Sequence, residues 1–128
     1  DGRKTNETTY EKGEKNGPII NWNADNIKVL QGSYRNNEKD DVWTYWYDDG
    51  TMKSIEEYQN GEKNGKWIWW EPDGTKIREG EYKNGVKHGL SKKYYENGQL
   101  ELETEYSNQK IISQKSWDKD GNEIKRED

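Results

Sequence analysis

Five tyrosines recur at intervals of 24 residues, and this spacing constrains the fold more than any other feature of the sequence. Glycines follow three and seven residues after most of them, and an aromatic residue follows after twelve. A fixed period of this length is the signature of a repeat architecture. We therefore expect a stack of equivalent units rather than a conventional globular core. The tyrosines are Tyr10, Tyr34, Tyr58, Tyr82 and Tyr106, and the aromatic residues that follow are Trp22, Trp46, Trp70 and Tyr94.

Each unit also holds two apolar or aromatic runs separated by a turn sequence. The turn glycines of three units are Gly50, Gly74 and Gly98, each after Asp or Asn. Asp-Gly and Asn-Gly between such runs are the strongest short-range signal of a β-hairpin. The sequence therefore predicts an all-β fold: an elongated, single antiparallel meander sheet of about ten strands, built from tandem 24-residue hairpins.

The period divides the 128 residues into units of one repeat domain. Asp1-Gly2 falls in the phase of the turns, so the chain is expected to begin in the second half of a preceding unit. The first and last units depart from the pattern, and we expect them to act as caps. The predicted divisions are a partial unit 1–9, full units 10–33, 34–57, 58–81 and 82–105, and a capping unit 106–128.

Composition limits the classes of function. Only 27% of the residues are hydrophobic and 37% are charged, but seven Trp and nine Tyr provide large side chains for burial. The net charge of −5 comes from interleaved acidic and basic residues without a basic block, which argues against nucleic acid as a partner. No segment has the length and apolarity of a transmembrane span, and nothing in the sequence supports contact with a membrane surface.

The repeating pattern resembles a known family. The stretches "YQNGEKNGKWIWWEPDG" and "YKNGVKHGLSKKYYENGQL" are similar to the bacterial variant of the MORN repeat, including its YwqK-like antitoxin group. The resemblance implies an elongated sheet of hairpins without enzymatic activity, used as a scaffold or binding module. It also implies a bacterial protein whose partner is a toxin, or alternatively an exported or surface protein.

Pro72 indicates how the strands pair, because its fixed φ suits the second position of a type I turn. Glu71 to Thr75 then form a three-residue loop with Gly74 in the left-handed region. In this register, with Gly74 in a bulge, Trp43 pairs with Ile55, Trp69 with Ile77 and Lys93 with Glu101. A two-residue loop would shift every pairing by one and redistribute the aromatic residues between the sides of the sheet.

The predicted register gives the two sides of the sheet different roles. One side carries the aromatic columns present in every unit, together with the five tyrosines, Gly32, Gly80, Met52 and Leu100. We interpret this side as structural. The other side differs between units: it is aromatic in units two and three, whereas the fourth unit has Ser91, Lys93, Glu101 and Glu103. Its residues are Ile19 and the predicted contact surface, which consists of Trp43, Tyr45, Tyr47, Ile55, Trp67, Trp69 and Ile77.

The contact surface admits three interpretations. It shields the backbone of a single-layer sheet, it binds a protein partner or a second copy of the chain, or it stacks a ligand such as a carbohydrate on tryptophan. For a protein partner, the acidic net charge favours a basic one. The division between sides further predicts that Trp70→Ala loosens the sheet, whereas Trp67→Ala with Trp69→Ala leaves it folded.

Catalytic chemistry has little support in the sequence. His88 is the only histidine, and its glycine-flanked position indicates a loop residue. There is no cysteine, and "DKDGNE" is the recurring turn rather than a calcium loop because its glycine comes too early. We predict a protein without catalytic residues, metal or cofactor.

Two classes of function remain from the sequence. The first is a protein-binding repeat module of the antitoxin or immunity-like kind, and the second is an exported or surface structural protein with envelope or host contacts. Glycan binding is a further alternative. The first residue is Asp1 rather than methionine, which hints at removal of an N-terminal segment and at an extracytoplasmic location, although a cytoplasmic one fits as well.

Overall fold

Eleven antiparallel strands form one open sheet in the computed structural model, which describes residues 5–125. Each strand pairs only with its neighbours in sequence, so the predicted all-β meander is confirmed. The predicted turn at Asp1-Gly2 lies outside the described residues. The strands are β1 Asn6–Glu11, β2 Glu14–Trp22, β3 Lys28–Arg35, β4 Glu38–Trp46, β5 Met52–Gln59, β6 Glu62–Trp70, β7 Lys76–Lys83, β8 Val86–Tyr94, β9 Leu100–Ser107, β10 Lys110–Trp117 and β11 Glu123–Ile124.

The strands repeat with the period of the sequence. Strands β3, β5, β7 and β9 each have eight residues and start 24 residues apart, and β2, β4, β6 and β8 have nine residues with the same spacing. His88, expected in a loop, instead lies within β8 opposite Glu81. The loop expectation was wrong because the glycine beside it, Gly89, has φ +68° but lies within β8, where the register shifts and the strand continues.

Two kinds of turn alternate along the sheet. At Glu71 to Thr75, the Glu71 N–H donates to the Thr75 carbonyl at 2.7 Å and the Gly74 N–H donates to the Glu71 carbonyl at 2.9 Å. Gly74 has φ +91°, so the predicted three-residue loop with a left-handed glycine is confirmed. The other turns have two central residues, both left-handed, as at Asn60 and Gly61 with φ of 50° and 83°. This type I′ geometry explains the glycine three residues after most tyrosines.

A one-residue bulge follows the three-residue loops before β3, β5, β7 and β9 and changes the register. Trp70 pairs with Lys76 but Trp69 pairs with Arg78, so Ile77 is an extra residue in β7. Val29, Lys53 and Glu101 are extra in the same way in β3, β5 and β9. The predicted pairs were therefore wrong by one residue. Trp43 opposes Glu56, Trp69 opposes Arg78 and Lys93 opposes Leu102, although the Lys93 Nζ still reaches the Glu101 Oε2 at 3.2 Å.

The bulge also changes which residues share a side, because a shift of one residue moves a side chain to the other side of a strand. Ile55 leaves the side of Trp43 and opposes Thr44 and Ile68. Glu103 likewise opposes Lys92. Trp22, Trp46, Trp70, Tyr94, Met52 and Leu100 share the opposite side, as predicted. The side with Trp43, Trp67 and Trp69, here called the tyrosine side, carries Gly32, Gly80 and the five repeating tyrosines, contrary to the prediction.

The buried residues lie on the tyrosine side. Trp43 is 1% exposed and Glu56 is 6% exposed, and Ile19, Ser54 and Thr104 are also buried. Gly32 makes room for the indole of Trp43, since a Cβ at Gly32 would lie 2.3 Å from its Cδ2 atom. The single-layer sheet therefore has its core on one side, where large rings cover glycine backbone in the manner expected for strand glycines.

We expect Gly32→Ala to lower the free energy of unfolding by about 1–3 kcal/mol, because its methyl group overlaps a buried indole. Gly80→Ala is the matched control. Its Cβ would meet the Ser91 Oγ and the Trp67 Nε1 at 3.1 Å, contacts that small side-chain movements relieve. Urea denaturation of both variants measures the difference, and an equal loss of stability in the two would contradict this account of the core.

Candidate interaction surface

A concavity on the tyrosine side lies over β6 and β7. Alternation along β6 directs Trp67 and Trp69 to this side and Trp70 to the other. Their partners across the strand pair complete a cleft of about 420 Å³. The cleft combines apolar rings with two cationic groups, and its lining residues are Lys63, Trp67, Trp69, Ile77, Arg78 and Tyr82.

Trp43 and Trp67 occupy equivalent places in consecutive units but pack differently. The Trp43 ring leans back over Gly32, lies 5.0 Å from the ring of Tyr34, and its Nε1 donates to the Ser33 carbonyl at 3.0 Å. Trp67 leans forward towards Gly80 and lies 5.7 Å from the ring of Tyr82. Its buried Nε1 has no acceptor among the described residues. Trp43 is thus a satisfied core residue, whereas Trp67 is half-buried at the wall of the cleft.

A carboxylate separates the two indoles. Glu56 opposes Trp43 on one neighbouring strand and Trp67 on the other, and its Oε2 accepts a hydrogen bond from the Tyr58 hydroxyl at 2.7 Å. Burial and this hydrogen bond to Glu56 raise the pKa of Tyr58 well above its usual value. The Lys39 ammonium lies 4.7 Å from the Trp43 ring and 5.0 Å from the Tyr58 ring, so a cation caps the same cluster.

Lysines and tyrosines form a continuous ladder that the sequence analysis missed. A lysine lies five residues after each of four tyrosines, and its ammonium lies over the tyrosine ring of the next unit. Such contacts are cation–π interactions, and the lysine stem covers the ring. The sequence does show a lysine at a constant distance from the tyrosine in four units, but charged residues are so frequent in this chain that the pattern does not stand out. The pairs are Lys15–Tyr34 at 4.9 Å, Lys39–Tyr58 at 5.0 Å, Lys63–Tyr82 at 5.1 Å and Lys87–Tyr106 at 5.5 Å.

Charge is divided unequally between the two sides. Among residues with a paired register, the tyrosine side has six basic and two acidic side chains, and one of the acidic ones is the buried Glu56. The opposite side has twelve acidic and eight basic ones. This distribution does not favour the basic partner expected from the net charge of −5, because that charge resides elsewhere on the chain. The basic residues of the tyrosine side are Lys15, Lys39, Lys63, Arg78, Lys87 and Lys93.

The predicted contact residues have different fates. Trp67, Trp69 and Ile77 come together in the cleft. Trp43 is removed from the predicted surface by its burial, and Ile55 by its place on the opposite side. Tyr45 is half-buried on the tyrosine side and accepts a hydrogen bond from the Lys39 Nζ at 3.2 Å. The Tyr47 hydroxyl donates to the Trp70 carbonyl at 2.7 Å, which ties adjacent hairpins together.

On the opposite side, Glu79 holds a local network. It accepts hydrogen bonds from the Tyr94 hydroxyl and from the Lys76 Nζ, the latter at 3.2 Å. Burial acts to raise the pKa of Glu79, but these hydrogen bonds and the charges of Lys76 and Lys92 outweigh it and hold the pKa below its usual value. Burial and the bond to Glu79 raise the pKa of Tyr94. The opposite side is therefore stabilised by paired polar groups as well as by its aromatic columns.

Three consecutive units match the MORN repeat variant. The matched residues are 42–60, 63–84 and 87–108, in phase with the strands described above. The MORN repeat variant is a non-catalytic repeat module, and such modules generally bind proteins or membranes. Across residues 5–125 no three His, Asp or Glu side chains are placed to hold a metal ion, and no helix there is long and apolar enough to cross a membrane.

Two other comparisons add nothing to the assignment of function. No curated protein sequence matches the chain. Among solved structures, the crystal structure of TarM is similar over 86% of this chain, with 12% sequence identity and a TM-score of 0.44. The chain spans 21% of the length of TarM.

We expect Trp43→Ala to destabilise the sheet strongly, by about 3–5 kcal/mol, because it removes a fully buried indole and leaves a cavity. Trp69→Ala removes a half-buried indole from an open cleft, so its cost should be clearly smaller. Thermal unfolding followed by circular dichroism compares them. A larger loss of Tm for Trp69→Ala would contradict the assignment of Trp43 to the core.

The Glu79 network predicts a dependence of stability on pH. Because the folded pKa of Glu79 is lowered, its contribution is present above the unfolded carboxyl pKa and is lost as the pH falls through the folded value. We expect Glu79→Gln to lower Tm at pH 7 and to lose most of this effect at pH 3. Glu96→Gln changes an exposed glutamate at a hairpin tip and should leave Tm unchanged at both values. A Glu79→Gln effect independent of pH would contradict the network.

Proposed function

We propose that this chain is a protein-binding repeat module that meets its partner through the cleft on the tyrosine side, which is formed by unit three and by Tyr82 of unit four. The observation that carries the proposal is the grouping of Trp67, Trp69, Ile77 and Tyr82 with Arg78 in one open concavity. Tryptophan, tyrosine and arginine are the residues that most often dominate binding energy at protein interfaces. The cleft therefore has the composition of an interface centre.

The difference between units supports the same proposal. The core of each unit requires the repeating tyrosines, the lysines over them and the glycines at the turns. It does not require an indole at both Trp67 and Trp69, because the fourth unit has Ser91 and Lys93 at the equivalent places and forms the same strand pairs. The sheet therefore does not need both indoles in order to fold. A role in binding a partner would explain why both are present.

The specific form of the proposal is an antitoxin or immunity-like module whose partner is a toxin. Its support is the resemblance of the units to the bacterial MORN variant. An antitoxin of this kind acts by covering a surface of the toxin, and such a role requires no catalytic residues. A protein that captures a toxin needs a preformed, complementary surface, and a rigid hydrogen-bonded sheet holds the cleft residues in place without large ordering costs.

Adjacent tryptophans on opposite sides of β6 allow a matched experiment. The immobilised chain is used to capture proteins from a lysate of the source organism, alongside Trp69→Ala and Trp70→Ala variants whose folding is verified by circular dichroism. We expect a specific partner to be lost with Trp69→Ala, by tenfold or more in affinity, and retained with Trp70→Ala. Loss with both variants, or with neither, would overturn the placement of the interface.

The antitoxin-like form has its own test. The captured partner is expressed in a laboratory host with and without this chain, and growth is followed. Expression of the partner alone should arrest growth, and the wild-type chain should restore it. The Trp69→Ala chain should not restore it, since it lacks the binding surface. A partner that leaves growth unaffected would retain the binding module and exclude the antitoxin-like role.

A further inference from the structure

The lysines of the ladder are spaced regularly along the tyrosine side. Consecutive rungs are separated by two strands, because each hairpin unit contributes one lysine. At about 4.8 Å per strand the rungs recur about every 9.6 Å. Each ammonium lies about the same distance from a tyrosine ring, so the cations occupy equivalent places in successive units. The tyrosine side therefore presents a periodic row of positive charges.

The spacing fits one peptide conformation better than others. A polyproline II helix has three residues per turn and a rise of about 3.1 Å, so every third side chain points the same way at about 9.3 Å intervals. In a β-strand the side chains on one face recur about every 6.8 Å, out of step with the ladder. Grooves lined by aromatic rings are also the surfaces that recognise polyproline II segments, because proline rings pack between aromatic ones.

We propose that the partner segment recognised on the tyrosine side is an acidic polyproline II segment with a carboxylate at every third residue, crossing the strands along the lysine–tyrosine ladder. The inference rests on the proposed function and specifies the chemistry of its partner. The positive charge of this side supplies the complementarity, with six basic residues and only Asp41 as an acidic residue outside the core among its paired positions.

The cleft sets the position of this segment along the ladder. Lys63 belongs both to the ladder and to the cleft, and Lys87 provides the next rung on the side of β8. Carboxylates three residues apart would meet Lys63 and Lys87, while apolar residues between them would contact Trp67 and Trp69. Arg78, which lines the cleft beside the indoles, offers a further charged donor. The indoles thus supply apolar contact and the lysines supply the spacing.

A synthetic peptide tests this proposal directly. The probe contains five Glu-Pro-Pro triplets, and its affinity for the full chain is measured by fluorescence anisotropy at low and physiological salt. A peptide of the same composition with irregular glutamate spacing is the control for the period. We expect the regular peptide to bind more tightly than the irregular one and to weaken as salt rises. Equal binding of the two peptides, or no binding of the regular one, overturns the proposal.

Lysine variants locate the contact. Lys63→Gln and Lys87→Gln remove charges from the ladder but retain most of each stem, and each should weaken the regular peptide about two- to fivefold. Lys66→Gln and Lys83→Gln lie in β6 and β7 on the opposite side, and they should have no effect. Unchanged affinity in both ladder variants overturns the proposal. So does binding of inorganic polyphosphate or anionic phosphatidylglycerol vesicles more tightly than the regular peptide, since that would assign the ladder to another class of anion.

The two proposals fail in different ways. If a captured protein partner is lost with Trp69→Ala but binds normally to the Lys63→Gln and Lys87→Gln variants, the cleft is an interface and the acidic polyproline II segment is wrong. If the peptide binds as expected but no protein partner depends on Trp69, the ladder has the proposed chemistry and the cleft is not the interface of the proposed function.

Discussion

The one-residue bulge at the start of β3, β5, β7 and β9 is the constraint on which the rest of the structure depends. It adds Ile77 and its equivalents to these strands, and it thereby brings the tyrosines of these four strands to the side of Trp43 and Trp67. Without the bulge, regular alternation through the same residues would leave four of the tyrosines on the side of the Trp70 column, away from the lysines that now cover them: Tyr34, Tyr58, Tyr82 and Tyr106. The cation–π ladder, the buried cluster around Glu56 and the cleft all follow from this local irregularity. Bulges of this kind are structural features of sheets rather than defects, and they change the side of the sheet to which the following side chains point.

A sheet with one layer must stabilise two exposed surfaces with few aliphatic residues, and this chain does so differently on its two sides. Large rings over glycine backbone bury the centre of the tyrosine side, where Trp43 covers Gly32. On the opposite side, aromatic columns are joined by polar networks such as that of Glu79, Lys76 and Tyr94. The same division separates charge. Basic residues are in excess on the tyrosine side, and acidic residues are in excess on the opposite side. The net charge of −5 for the whole chain does not reveal this division.

Much of the architecture could be predicted because it is encoded locally. The period of 24 residues, the turn glycines and Pro72 determine the hairpins, their loops and the meander, and these predictions were confirmed. The arrangement of the sides was predicted incorrectly because nothing in the identity of Val29, Lys53, Ile77 or Glu101 marks a bulge. Four different residue types occupy that place, since a bulge at this point requires a backbone shape and no particular side chain. The bulge also explains why only some of the predicted contact residues line the cleft. Trp67 and Trp69 lie before the bulge and keep their side, while Ile55 lies after it and changes.

The contact between a lysine of one unit and a tyrosine of the next has a consequence for how such a chain can change. The seam between neighbours is chemically the same at Lys15–Tyr34 and at Lys63–Tyr82. Duplication or excision of a whole unit therefore rejoins a lysine with a tyrosine and preserves the seam. Length can then vary in steps of one hairpin while the residues that distinguish one unit from another diverge independently. The repeated lysine–tyrosine contact thus maintains the fold, while the other residues of each unit can change and form new surfaces.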